Sequence, residues 1–171
     1  NETGTGSATD VDSVTVEIRE TATGAHNLVA EAKGMLQTDG TMDSLSLAPL
    51  SGNYYIVVKV KGGVETWSAD SVAFTSGGTT TYDFRNAANK AFEDNQAEVE
   101  AGVFAIYSGD INADGNIDPS DYADWETDYT SVDNYYGYRA SDLNGDGNVD
   151  AVDYAIWEAN YGNLIYAHLV P

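Results

Sequence analysis

An internal duplication constrains this chain of 171 residues more than any other feature. Residues 110–129 read DINADGNIDPSDYADWETDY and residues 142–161 read DLNGDGNVDAVDYAIWEANY; the copies lie 32 positions apart and agree at 12 of 20. Units this short bury a core only by packing on one another. Within each copy, oxygen-bearing side chains recur at positions 1, 3, 5, 9 and 12 around a glycine at position 6. In the first copy these are Asp110, Asn112, Asp114, Asp118 and Asp121 with Gly115; in the second, Asp142, Asn144, Asp146, Asp150 and Asp153 with Gly147. A tightly curled loop of twelve residues turns alternate side chains inward, which surrounds a hard divalent cation with oxygen. Position 7, Asn116 or Asn148, adds its main-chain carbonyl.

The bland reading of one such loop is a solvated acidic turn; two complete copies in tandem favour two Ca²⁺ sites. Four aspartates crowd each loop, and a bound cation relieves their repulsion. A flexible cage of many oxygens suits Ca²⁺ better than the compact octahedron of Mg²⁺. The metal is thus expected to be structural. Ile117 and Val149, at position 8, are expected to face the core and pair across a short ladder between the loops. After each loop, Tyr122, Trp125 and Tyr129, and likewise Tyr154, Trp157 and Tyr161, fall at i, i+3 and i+7, one face of a helix. Packing of the two stripes on each other is the first expectation, and stacking on carbohydrate the second. No entering helix precedes either loop.

The first half of the chain has a different period. Residues 12–19 alternate, with Val14, Val16 and Ile18 on one face and Ser13, Thr15 and Glu17 on the other, which predicts a half-buried strand at a sheet edge. Further short strands are predicted at 26–33, 41–47, 53–61, 64–67, 71–75 and 79–84, separated by Gly-rich turns. The run 54–60 is apolar on both sides until Lys59 and belongs in the middle of a sheet. A short helix is expected within 86–100 and an extended run at 102–107. About seven strands in this length predict an immunoglobulin-like β-sandwich. The fold class is therefore mainly β plus a small α module: an N-terminal extension at 1–11, the sandwich at 12–107, the calcium module at 108–162 and a C-terminal extension at 163–171.

Charge and composition narrow the function. Twenty-eight acids against seven bases give a formal charge of −21, which repels nucleic acid and anionic membrane surfaces. Residues 108–171 hold 13 of the acids and a single base, Arg139. A hydrophobic share of 42% with 12 Tyr and 3 Trp argues against a disordered acidic tail. With no Cys there is neither a disulfide frame nor thiolate chemistry. Two His, His26 and His168, and no nucleophile-elbow or P-loop motif leave no enzyme to propose. A saturated calcium loop offers no open catalytic position. No run approaches a membrane span, and a first residue of Asn rather than Met points to a removed leader, hence a secreted, extracellular or cell-surface protein. Asn1-Glu2-Thr3 is an N-glycosylation sequon, and the Asp-Ser-apolar tripeptides at Ser13, Ser44 and Ser71 are candidate glycan sites.

The duplicated loop and exiting helix resemble the dockerin family over about 108–162. Asp at position 12, here Asp121 and Asp153, agrees with that family. The resemblance implies two bound Ca²⁺ and docking into cohesin domains that assemble extracellular complexes. In that family, positions 10 and 11 and basic helix residues recognise the partner. Here those places hold Pro119-Ser120, Ala151-Val152, Glu126 and Glu158, a departure that bears on a cohesin partner and leaves the calcium loops intact. Together with 52–59, 64–69 and 82–84, the chain is similar to sandwich-plus-dockerin-like pairs at the C-termini of large secreted bacterial surface proteins.

Two functions follow as expectations. In the first, the chain is a non-enzymatic subunit of a fibre or surface layer, joined head to tail to copies of itself through its termini, the apolar run 163–171 adding a strand to a neighbour's sheet. In the second, it is a dockerin-like adaptor that anchors a larger protein to a cohesin-type or other surface receptor.

Overall fold

A computed structural model describes residues 10–21, 24, 26–133 and 136–162. The chain is mainly β with two short helices. Strands β1 (Asp10–Glu20), β2 (Leu28–Gln37), β3 (Gly52–Lys59), β4 (Thr66–Trp67) and β5 (Val72–Phe74) form one antiparallel sheet. Its order is β2-β1-β3-β4, with β5 also pairing with β3. β6 (Ala97–Glu100) and β7 (Val103–Ala105) form a separate hairpin, and α1 (Pro119–Thr130) and α2 (Ala151–Tyr161) follow. Among the described residues no helix is long and apolar enough to cross a membrane.

The alternation in β1 does what its period requires. Val14, Val16 and Ile18 are buried and, with Ile56, centre a core that Leu36, Leu45, Leu47, Tyr82 and Phe84 complete. β1 is not an edge, however: Val16 lies opposite Ala32 on one side and Val58 on the other. An inner strand with a polar face is stable here because Glu17 is neutralised where it is buried. Arg19 Nε donates to its carboxylate at 2.7 Å and Lys59 Nζ lies 3.0 Å from the other oxygen. β3 is central, as its two-sided apolar run requires.

The expected strands at 41–47 and 79–84 do not form. Their apolar side chains cover the sheet, but 41–47 makes only a single bridge, Met42 to Leu36, and the polar groups of 79–84 bond elsewhere: Thr80 Oγ1 donates to the Ala73 carbonyl and Tyr82 Oη to that of Lys90. Covering a sheet face needs side-chain contact and not a second ladder. The helix expected within 86–100 is reduced to two 3₁₀ turns, Ala88–Lys90 and Phe92–Asp94, with Glu93 and Asp94 both at positive φ. Residues 1–9 and 163–171, which include the sequon, His168 and the segments expected to join neighbouring copies, lie outside the described residues. Ser13 and Ser44 are exposed and Ser71 is half-buried.

The turn after β3 joins the sheet to the duplicated unit. Gly62 accepts from Gly109 N at 2.7 Å, Val64 N donates to the Tyr107 carbonyl at 2.9 Å, and Gly63 bridges Ser108. Val64 is fully buried beside Ile117 and Trp157. Gly62 sits at φ +65, and a Cβ there would lie 2.6 Å from the Ala140 carbonyl oxygen. On the flank, Lys61 Nζ stands 3.2 Å from the Tyr138 ring centroid, and the Tyr138 hydroxyl bonds Asp12 of β1.

Candidate metal centre

Each loop is wound around its own carboxylates. Asp110 Oδ1 accepts from Asp114 N at 3.0 Å and Oδ2 from Gly115 N at 3.1 Å; Asp142 accepts from Asp146 N and Gly147 N in the same way. Asn112 Oδ1 then accepts from Asp114 N, and Asp114 Oδ1 from Asn116 N, with Asn144, Asp146 and Asn148 repeating the pattern. Successive turns of this kind curl the chain tightly. Position 4 is left-handed in both loops: Gly145 takes φ +74 at no steric cost, whereas Ala113 takes φ +58.

Positions 9 and 12 also start the helices. Asp118 N donates to Asp121 Oδ2 at 2.8 Å while the Asp118 carboxylate accepts from Ser120 N, a capping box with Pro119 at the first turn. Asp150 and Asp153 make the same box for α2. Asp121 Oδ1 further accepts from Ile111 N and Asn112 N, and Asp153 Oδ1 from Leu143 N and Asn144 N. The position-12 carboxylate thus ties the start of each loop to the start of its helix. Sequence reasoning assigned these residues to metal alone; the S/T/D-x-x-D spacing of a cap was the signal for the second role.

The electrostatics of the loops are unbalanced. Asp121 and Asp153 are fully buried, and Asp110 and Asp142 nearly so. Burial, then the charges of Asp121 and Asp114, pushes the Asp110 carboxyl up to about 6. Burial likewise raises Asp121 and Asp153, against the pull of their backbone N–H donors. The hydroxyl and N–H of Ser120 hold the half-buried Asp118 below the usual carboxylate range. Among the described residues no salt bridge reaches a loop carboxylate. Lys59 lines an open cleft of about 310 Å³ with Asp110 and Asp114, but its ammonium is held by Glu17 at 3.0 Å and Glu65 at 2.7 Å.

Buried carboxylates without a cationic side chain are the environment that a hard cation would complete. The donor set of each loop fits such an ion: aspartate, amide and main-chain oxygens, with no thiolate or imidazole. Among the described residues no three acidic or imidazole side chains stand together as a ready metal group.

The two loop-helix units interlock by exchange. Trp125 Nε1 donates to the Asp150 carbonyl at 3.2 Å and Trp157 Nε1 to the Asp118 carbonyl at 3.3 Å. Ile117 packs with Trp157, and Val149 with Trp125 and Ile111. Both position-8 residues are buried as expected, but the described bridge of the second loop runs from Asn148 to Tyr136, not between Ile117 and Val149. The tryptophan rings fill the space between the loops. Tyr122 and Tyr154 meet edge to face at 6.0 Å, and Tyr129 and Tyr161 stack on Trp125 and Trp157 at 4.8 and 4.9 Å. The stripes are therefore core, with only Tyr129 and Tyr161 at its exposed rim. Sequence reasoning missed Val64 and Gly62, the sheet's contribution to this core; the pair Gly62-Gly63 signalled a turn but not what it touches.

Compared with known protein families, curated proteins and solved structures, the chain matches none.

Proposed function

We propose that the chain is a non-enzymatic structural protein stabilised by two Ca²⁺, secreted or displayed at a cell surface and built into a fibre or layer through its terminal segments. The burial of Asp110, Asp121, Asp142 and Asp153 without a neutralising cationic side chain carries the calcium reading. In it, Asp110, Asn112, Asp114, Asp118 and Asp121, with the Asn116 carbonyl, supply the first ion's ligands. Asp142, Asn144, Asp146, Asp150 and Asp153, with the Asn148 carbonyl, supply the second's. The sheet with its covering segments is read as an immunoglobulin-like sandwich, and the two loop-helix units as a dockerin-like pair. The apolar run Leu164-Ile165-Tyr166-Ala167 at the chain's end supports strand addition to a neighbour.

Exposure of Tyr129, Val132 and Tyr136 around one shallow cleft favours a second reading, in which this face docks on a surface receptor. Calorimetric titration with Ca²⁺ and negative-stain microscopy, with calcium and with chelator, test the proposal. Two bound ions and filaments that disperse on chelation or on deletion of 163–171 support it. No calcium heat, or monodisperse particles under all conditions, would refute the corresponding half.

A further inference from the structure

The open side of β2 is unused by the proposed function. β2 ends the five-stranded sheet, and only its far end is covered: Gln37 N donates to the Thr41 carbonyl at 2.8 Å and Leu36 bridges Met42. Since Gln37 N–H points away from β1, alternation along the strand turns the N–H and C=O groups of Glu31 and Lys33 to the same open side, between a register shift at Val29 and the Leu36–Met42 bridge, which engages the Met35 carbonyl. Among the described residues nothing pairs with them there. An unpaired edge is a template for another strand.

Its sequence says which strand fits. Residues 30–34 read AEAKG. Laid antiparallel on its own copy with Ala32 opposite Ala32, the segment places Glu31 opposite Lys33 and Ala30 opposite Gly34. Opposed residues are an even number apart, so every pair shares a face and the outward-bonding residues meet one another. Glu31 and Lys33 are exposed, and among the described residues neither has an ion-pair partner. Within its own sheet Glu31 faces Glu17, whose carboxylate Arg19 and Lys59 already occupy, and Lys33 faces Thr15. Met42 beside Leu36 stops the free stretch, which is centred on Ala32.

We infer that β2 is a homodimerisation edge: two copies join antiparallel through residues 30–34 about a twofold axis at Ala32, merging their sheets through two reciprocal Glu31–Lys33 pairs. The contact is isologous and closes on itself. It uses neither terminal segment, so it stands apart from the fibre reading. One strand pair buries less than the roughly 1,600 Å² of a standard interface, and each copy carries −21, so the dimer is weak and concentration-dependent.

Sedimentation velocity on the full chain, from micromolar to millimolar in moderate salt, reads the equilibrium. The wild-type chain is expected to shift from monomer to dimer. Lys33→Glu and Glu31→Lys each place like charges opposite at two positions and should raise the dissociation constant about tenfold or more. The double exchange Glu31→Lys with Lys33→Glu should restore it. A second readout uses the absence of native cysteine: Ala32→Cys should oxidise to a covalent dimer faster than Ala73→Cys, an exposed position on β5. A chain that stays monomeric to millimolar concentration overturns the inference. So do single charge variants that dimerise like the wild type, or equal oxidation rates at the two cysteines. Dimerisation lost on deleting 163–171 but indifferent to the charge variants would assign the edge to the tail instead.

Discussion

Trp125 of α1 donates its indole N–H to the carbonyl oxygen of Asp150, the residue that caps α2, 3.2 Å away. Trp157 of α2 returns the bond to Asp118, which caps α1. Each loop is thereby closed from outside by the other unit's helix, so the duplicated halves stabilise each other and neither is complete alone. Replacing Trp125 or Trp157 by Phe removes one hydrogen bond to a main-chain carbonyl and part of a buried ring. A loss of about 2 kcal/mol is expected for each. Because the two rings share Tyr122 and Tyr154 as neighbours, the double variant should depart from additivity in urea unfolding.

Ala113 holds a left-handed conformation that Gly145 occupies in the other copy. Ala113→Gly should relieve about 1 kcal/mol of backbone strain and raise Tm by a few degrees. Gly145→Ala should lower it by a similar amount, and equal melting temperatures for both variants would contradict this assignment.

The turn at 62–64 couples the sheet to the loops. Gly62→Ala pushes a methyl against the Ala140 carbonyl and the Leu143 side chain, at a positive φ that alanine resists. Val64→Ala opens a void beside Ile117 and Trp157. Each change should cost about 2 kcal/mol or more. Both should separate a shared thermal transition into two, readable by near-ultraviolet circular dichroism of the loop-packed tryptophans against far-ultraviolet signal from the sheet.

Glu17 sets an acid limit on the sheet. Burial pushes its carboxyl up, but the hydrogen bonds and charges of Arg19 and Lys59 outweigh that and hold it below the ordinary glutamate value. A carboxyl depressed in the folded state contributes stability that is fully present above its unfolded value, about 4.3, and lost as pH falls through the folded one. Glu17→Gln should flatten the fall in unfolding free energy below about pH 4 and lower stability at neutral pH, where Arg19 and Lys59 are left without their partner.

The short-range patterns of this chain were legible without a structure. The spacing of Asp110 to Asp121 and of Asp142 to Asp153 specified the curled loops, the i, i+3, i+7 aromatics specified the inward helix faces, and the alternation of Val14, Val16 and Ile18 specified a half-buried strand. These depend on neighbours within about a dozen positions, where backbone geometry dictates which side chains share a face. Pairing partners do not follow from such a period. Alternation in β1 fits an inner strand as well as an edge, and the inner place became compatible with a buried Glu17 through its pairing with Arg19 and with Lys59 from β3. The segments 41–47 and 79–84 have strand-like composition, yet they cover the core without a ladder, because side-chain burial and main-chain pairing are separate requirements. Tertiary structure alone decided that Val64, distant in sequence from Ile117 and Trp157, completes the core of the duplicated unit, that each tryptophan closes the other copy's loop, and that β2 is left with an open edge. Contacts between segments far apart in sequence are set by which surfaces remain to be buried once each local element has formed, and a linear pattern holds no record of that.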